Sequence, residues 1–317
     1  MQRGSLVSFL IISYEHKQFI ADCFESILAQ TYMEIEILYL DDASNDGTFE
    51  KACEYKERFL ERFPNVVFIE NESNLGLVKS LNKLIGLCRG EYVKFLAADD
   101  FLFADSIENL VDFMEEYLQH DMVYSNGVVG DKDTHFPISD VSNFGYVYER
   151  SQPSGRMLFN ALYNRDFISA PGVMVRKTVY DKVGLYDESI GVEDWDFYLR
   201  IAREGSIGYL EEMTVMYRIL ENSLSHSSDI KRRMNMKKSE LQIIEKYKDV
   251  TPQYAKKRME TSLNEALQDA FHIGNREYLS YLYLYAKTNN VRINIRNLFK
   301  QVLYKFGVIK LYDSLFH

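Results

Sequence analysis

The stretch "SFLIISYEHKQFIADCFESILAQTYMEIEILYLDDASNDG" (residues 8–47) holds two apolar runs flanking a segment with helical spacing, and each run stops on polar residues. "LVSFLIIS" (6–13) reads as a buried strand, "FIADCFESILAQ" (19–30) as a helix, and "IEILYLDDAS" (35–44) as a strand meeting a turn. The alternation continues outward. "TFEKACEYKERFLER" (48–62) predicts a helix, "NVVFIEN" (65–71) a strand, "LVKSLNKLIGLC" (77–88) a helix and "EYVKFLAADD" (91–100) a strand. Strand and helix repeating at this spacing predict an α/β domain with a doubly wound, mostly parallel sheet covered by helices on both faces.

In such sheets ligands bind beyond the carboxyl ends of the strands. Three predicted strands end on polar clusters there: "SYEH" (13–16), "DDASNDGT" (41–48) and "AADD" (97–100). The last places two like charges, Asp99 and Asp100, after a buried run, an arrangement that costs stability unless a cation neutralises it. Mn2+ or Mg2+ would do so, since hard divalent ions take oxygen ligands and accept one or two protein carboxylates, with phosphates and water filling the remainder. The competing account is a helix cap or an ordinary turn. Neither G-x-G-x-x-G after a strand nor G-x-x-x-x-G-K-[ST] is present, so no Gly-rich phosphate loop is expected.

Of 317 residues, 46% are hydrophobic and 26% charged, an ordinary globular composition with length for one large domain and a smaller one. Residues 231–317 carry 17 Lys+Arg against 8 Asp+Glu, whereas the first 230 carry 20 against 39, so net charges of +9 and -19 divide an acidic body from a basic tail piece. The acidic body argues against nucleic acid as a partner. Cys23, Cys53 and Cys88 form no disulfide framework or zinc spacing, which fits a reducing cytoplasm. No apolar run reaches the roughly 18–20 residues of a membrane span, and no secretory leader is evident.

Together with "NLGLVKSLNKLIGLCRGEYVKFLAADD" and "GVEDWDFYLRIAREG" (191–205), the opening stretch resembles family 2 of the inverting, nucleotide-sugar-dependent glycosyltransferases over about residues 5–225. The resemblance implies an A-type glycosyltransferase fold and a nucleoside-diphosphate sugar donor, a UDP-sugar being the commonest expectation. It implies that Tyr14 stacks on the base with Glu15 beside it, that Asp42 bonds the base or ribose, and that Lys79 lies near the donor. Asp99 matches the last carboxylate of the family's D-x-D metal motif, with Asp100 next to it. Ala97 stands where the family commonly has Asp, which weakens the implied metal site. In "YRILENSLSH" (217–226), Leu220 replaces a family His, leaving Arg218 and His226 as candidate charges near the diphosphate.

In "VEDWDFYLR" (192–200) the resemblance makes Asp194 the general base and Glu193 an acceptor-binding or base-orienting group. Carboxylates facing the positive end of a helix dipole give a purely structural account of the same residues, and the two readings are compatible. Trp195 reads as core or as a sugar-stacking platform. Ala170, Pro171 and Gly172, in a segment resembling the family's acceptor loop, read as acceptor-pocket residues or as an ordinary turn.

The expected organisation is a nucleotide-sugar-binding catalytic domain over 1–228 and a helical, basic C-terminal region over 229–317. Within it, Ile295, Leu298, Phe299, Val302, Leu303, Phe306 and Ile309 follow helical spacing with Arg296, Lys300 and Lys305 between them. This helix packs on the protein or lies on an anionic membrane face, the latter suiting a lipid-linked glycan acceptor. The sequence expectation is thus a metal-dependent transferase at the cytoplasmic side, building a cell-envelope polysaccharide or glycoprotein. A sugar-phosphate nucleotidyltransferase would need a Gly-rich triphosphate loop that "SYEHKQF" lacks, and a non-catalytic glycan- or nucleotide-binding module is the remaining alternative.

Overall fold

A computed structural model describes residues 4–138, 145–146, 155–220, 230–250, 252–298 and 300. His226 and the greater part of the predicted basic helix at 294–310 lie outside the described residues. Nine strands, β1 (Val7–Ser13), β2 (Ile35–Asp41), β3 (Asn65–Glu70), β4 (Tyr92–Ala97), β5 (Phe101–Leu102), β6 (Met122–Gly130), β7 (Gly145–Tyr146), β8 (Val173–Arg176) and β9 (Ile207–Arg218), are described. They form one sheet in the order β3-β2-β1-β4-β8-β6-β9-β5, with β7 beside β6. The β1–β4 pairs are parallel, as their spacing predicts, while β8 enters antiparallel between β4 and β6. The sheet is therefore mixed and mostly parallel.

The helices are α1 (Ile20–Leu28), α2 (Thr48–Cys53), α3 (Lys56–Arg62), α4 (Leu77–Ile85), α5 (Ser106–Glu116), α6 (Gly155–Asn164), α7 (Val179–Val183), α8 (Glu193–Glu204), α9 (Ile230–Lys246), α10 (Pro252–His272) and α11 (Arg276–Thr288). Every residue of β1 and β2 is buried, because helices cover both faces of the sheet centre. One core joins Phe9, Ile11, Ile37 and Tyr39 to Phe24 of α1 and Phe59 of α3. The single helix predicted over 48–62 is broken in two at Glu54–Tyr55, and both Tyr55 (5.4 Å) and Phe59 (5.0 Å) pack their rings edge-on against Phe24.

Gly90, just before β4, is packed so closely that a Cβ would stand 2.6 Å from Leu6 O and Ser8 N. Both are backbone atoms of the central strand region and cannot swing aside. Gly90→Ala is therefore expected to destabilise the fold by about 1–3 kcal/mol, read as a lower urea midpoint at unchanged m-value.

The chain forms two compact units: residues up to Glu188 with Glu193–Leu220, and Ser189–Val192 with the described helices beyond residue 229. In the second, Leu241, Leu263, Leu267, Leu279 and Leu282 are buried between α9, α10 and α11. The Asn275 side chain caps α11 by accepting Tyr278 N–H at 3.0 Å. Glu240 anchors the bundle, accepting from Arg258 (3.0 Å), Ser262 (2.8 Å) and Lys237 (2.9 Å). Among the described residues no helix is long and apolar enough to cross a membrane.

Candidate active site

Register fixes which side chains meet. Ser13 pairs with Asp41 and Ile12 with Ala97, so β1, β2 and β4 end at one level. Backbone bonds carry the alignment past the strands, Asp42 N–H to Ser13 O (2.9 Å) and Ala98 N–H to Ile12 O (3.0 Å). Tyr14, Asp42 and Asp99 therefore leave from the same sheet edge. Tyr14 is 39% exposed. Glu15 is exposed in the left-handed region (φ 57°), its N–H donating to Ser44 Oγ at 2.8 Å. Asp41 builds the facing turn by accepting Ser13 Oγ (2.7 Å) and Ser44 N–H (2.8 Å).

Asp42 is buried and largely engaged by the protein. Its Oδ1 accepts Asn71 Nδ2 (2.7 Å), Leu75 N–H (2.9 Å) and Ser80 Oγ (3.2 Å), and its Oδ2 accepts Gly76 N–H (2.8 Å). It shapes the turn into α4, where Gly76 sits at φ 85°. With about four lone-pair positions on a carboxylate, only Oδ2 keeps room for a nucleoside. Lys79 is exposed on the first turn of α4.

The two carboxylates after β4 differ. Asp99 is partly exposed, its Oδ2 4.0 Å from His16 Nε2, while His16 Nδ1 is buried without a hydrogen-bond partner. Asp100 is buried, accepts Arg218 N–H at 2.8 Å, and is held well above the usual carboxylate range by burial and then by the Asp99 charge. Arg218, read from the sequence as a candidate charge near the diphosphate, turns its guanidinium inward. Its side chain is fully buried, donating to Asp99 O, to Thr134 O (2.6 Å) and to Asp22 Oδ2 (3.0 Å), with the guanidinium 4.6 Å from the Phe19 ring centroid. It clamps the aspartate loop from behind. Lys94 is a second buried cation among the described residues, donating to Pro171 O and to Phe95 O (3.0 Å); burial pulls it down to about 7, against the Asp100 charge.

Among the described residues no three His, Cys, Asp or Glu side chains close on one point. Ala97 contributes no oxygen. Of the acidic pair, Asp99 is the partly exposed carboxylate that could meet a hard cation, whereas Asp100 is buried with one oxygen accepting Arg218 N–H.

The second cluster opens α8. Glu193 and Asp194 border a cleft of roughly 430 Å³, its open mouth included, walled by Tyr180, Tyr186 and Tyr198 and by apolar residues of β1, β4 and β8. Burial, then the Asp194 charge, pushes Glu193 up to about 8. Burial also raises Asp194, although its Oδ1 accepts Trp195 N–H at 2.7 Å. Three expected acceptor contacts are corrected. Trp195 is core, donating Nε1–H to Leu162 O at 2.7 Å. Pro171 and Gly172 are buried, the latter's carbonyl accepting Ser125 Oγ (3.0 Å), and only Ala170 of that turn reaches the cleft.

Residues 8–184 match the profile of glycosyl transferase family 2. The chain belongs to that family. An uncharacterized glycosyltransferase of Methanocaldococcus jannaschii is 26% identical over 231 residues, covering 72% of this chain and 75% of its own length. The putative glycosyltransferase EpsE of Bacillus subtilis is 28% identical over 239 residues, covering 70% and 76%. S. aureus TarS in complex with UDP-GlcNAc superposes with a TM-score of 0.61 at 17% identity, over 84% of this chain and 73% of that one. The mannosyltransferase PcManGT of Pyrobaculum calidifontis, in complex with GDP-Man and Mn2+, gives 0.60 at 14%, over 99% and 88%. These superpositions identify the architecture as the A-type glycosyltransferase fold.

The family 2 match holds Tyr14, Asp42, Lys79, Asp99 and Asp100 and ends before Glu193. Sequence reading passed over Lys94, a lone cation in an otherwise apolar strand, although that isolation was itself a signal. It also passed over Asn82 and Tyr186, which carry no local signal because they meet across 104 positions.

Proposed function

We propose that this chain is an inverting glycosyltransferase that moves a sugar from a nucleoside-diphosphate sugar to a hydroxyl of a polysaccharide, lipid-linked or glycoprotein acceptor. The observation that carries the reading is the convergence of Tyr14, Asp42 and Asp99 on one edge of parallel strands in a family 2 chain. Exposed Tyr14 stacks on the base, Lys79 lies toward the donor, and Glu15 borders the base. Structures of TarS with UDP-GlcNAc and of a mannosyltransferase with GDP-Man support a nucleotide-sugar donor, UDP-linked in our reading. A relative named for teichuronic acid biosynthesis and the E. coli chondroitin synthase support a polysaccharide acceptor. The catalytic domain runs to about residue 228, and the basic helical region follows.

Asp194 takes the proton from the acceptor hydroxyl. The oxygen bonds the anomeric carbon from the face opposite the diphosphate, the bond to the diphosphate oxygen breaks, and the nucleoside diphosphate departs with that electron pair. A single displacement inverts the anomeric centre. Mn2+ or Mg2+ on Asp99 and Asp100 would offset the charge developing on the leaving diphosphate. Arg218 and Lys94 hold the loop bearing those carboxylates and the Pro171 turn in place.

Calorimetric titration with UDP-GlcNAc, UDP-glucose and GDP-mannose, with Mn2+, with Mg2+ and with chelator, tests this. One donor binds with metal, and Asp99→Ala or chelator weakens it at least about tenfold, a loss of about 1.4 kcal/mol. Failure of every nucleotide sugar to bind would sink the transferase reading.

A further inference from the structure

The segment Val183–Tyr186 is tied down from two sides. Arg200 of α8 donates Nη1–H to Val183 O (2.5 Å) and Gly184 O (3.1 Å) and Nη2–H to Leu185 O (2.9 Å), its own Nε–H resting on buried Asp196 (2.9 Å). Asn82 of α4 brackets the next residue. Its Nδ2–H donates to Tyr186 O at 3.0 Å, and Tyr186 N–H donates to its Oδ1 at 3.1 Å. One amide thus satisfies both backbone groups of a residue 104 positions away, on a helix whose buried residues are Ser80, Leu81, Leu84 and Ile85.

The ring so held packs on Phe197, centroids 4.5 Å apart, in a cluster closed by Tyr180, which lies 6.4 Å from Tyr186 and stacks on Phe197 at 5.3 Å, and it forms part of the wall beside Glu193 and Asp194. Helix α4 therefore runs from the turn where Asp42 holds Gly76 to Tyr186, beside Glu193 and Asp194.

We infer that Asn82 is a positioning residue: by fixing Tyr186 it holds one wall of the cleft and so limits the water around the half-buried Glu193 and Asp194. Only the naming of Asp194 as base rests on the transferase reading. Among the described residues, Tyr180 from α7, Tyr186 from the tied segment and Tyr198 from α8 itself line the cleft beside this pair, Arg200 acts on Tyr186, and β1, β4, β8 and α4 present apolar side chains. Exposed Glu188 shares the Asn82 amide at 3.4 Å.

Carboxyl-carbon NMR titration of Glu193 in the full chain, without nucleotide, reads the wall directly. Asn82→Ala lets more water reach the carboxylates, and the Glu193 midpoint falls from about 8 toward its solvated value by about one pH unit or more. Tyr186→Ala does the same without touching α4, so a folding defect in the first variant does not decide the matter. Tyr186→Phe keeps the ring and holds the midpoint within about 0.3 unit of wild type. An unmoved midpoint in both alanine variants overturns the inference, as does a Phe variant that shifts as far as Ala. Calorimetric titration with UDP gives a second readout, staying within about twofold in Asn82→Ala; a tenfold loss would place the role of Asn82 at the donor end instead. Absence of UDP binding in wild type as well would count against the transferase reading alone, and the NMR titration would still decide the wall.

Discussion

Asp194→Asn is expected to lower turnover by roughly 10²- to 10⁴-fold, the usual worth of a positioned general base, while nucleotide-sugar affinity stays within about twofold. The amide is nearly isosteric and can still accept the Trp195 N–H bond that fixes the side chain at 2.7 Å. What it loses is the capacity to receive the acceptor proton. Because Asp194 and the strand-end cluster of Tyr14, Asp42 and Asp99 are carried by different elements, the two halves of the reaction separate in a pair of variants. Asp99→Ala weakens donor binding, whereas Asp194→Asn spares binding and removes chemistry. Single-turnover kinetics with saturating donor make the distinction, and an Asp194→Asn enzyme with wild-type turnover would dismiss the assigned base.

Much of the sheet was legible because its strands are short, β-rich and separated by helices of ordinary length. β1, β2, β3 and β4 start within one residue of the predicted runs, and β2 and β4 stop three residues short of them, at Asp41 and Ala97. β8 and β9 were not: their placement between β4 and β5 depends on pairing partners far away in sequence, which no local pattern encodes. The candidate site divides the same way. Strand-end polar clusters marked Tyr14, Asp42 and Asp99 because a parallel sheet gathers its carboxyl ends at one edge. Which of those groups faces a ligand was not legible. Asp42 is drawn toward the Gly76 turn and Arg218 into the aspartate loop, both by partners more than thirty residues distant. Trp195 follows the same rule, since the indole finds its acceptor at Leu162 on another helix.

Glu193→Gln is expected to stabilise the protein at alkaline pH and leave it nearly unchanged at acid pH. Burial beside Asp194 pushes Glu193 up to about 8 from an ordinary 4.5. The folded chain therefore holds a proton that the unfolded chain releases as pH rises from 4.5 to 8. Stability from this group is complete below 4.5 and is lost progressively across that window. Glutamine has no proton to lose, so its advantage grows with pH and reaches about 3 kcal/mol near pH 8, below the full linkage value because the side chain is partly reachable by water. Urea melts at pH 5, 6.5 and 8, values that bracket the window, read this as a widening gap between variant and wild type. The same protonation predicts the kinetics. With its pKa raised toward 8, Glu193 is largely protonated at pH 7, a neutral form that glutamine reproduces, so kcat is expected to change by less than about threefold while the loss in Asp194→Asn is orders of magnitude. A large drop in Glu193→Gln at pH 7 would instead mean that the ionised carboxylate works in the reaction, and the proton would then have to reside on Asp194, exchanging the roles of the two side chains.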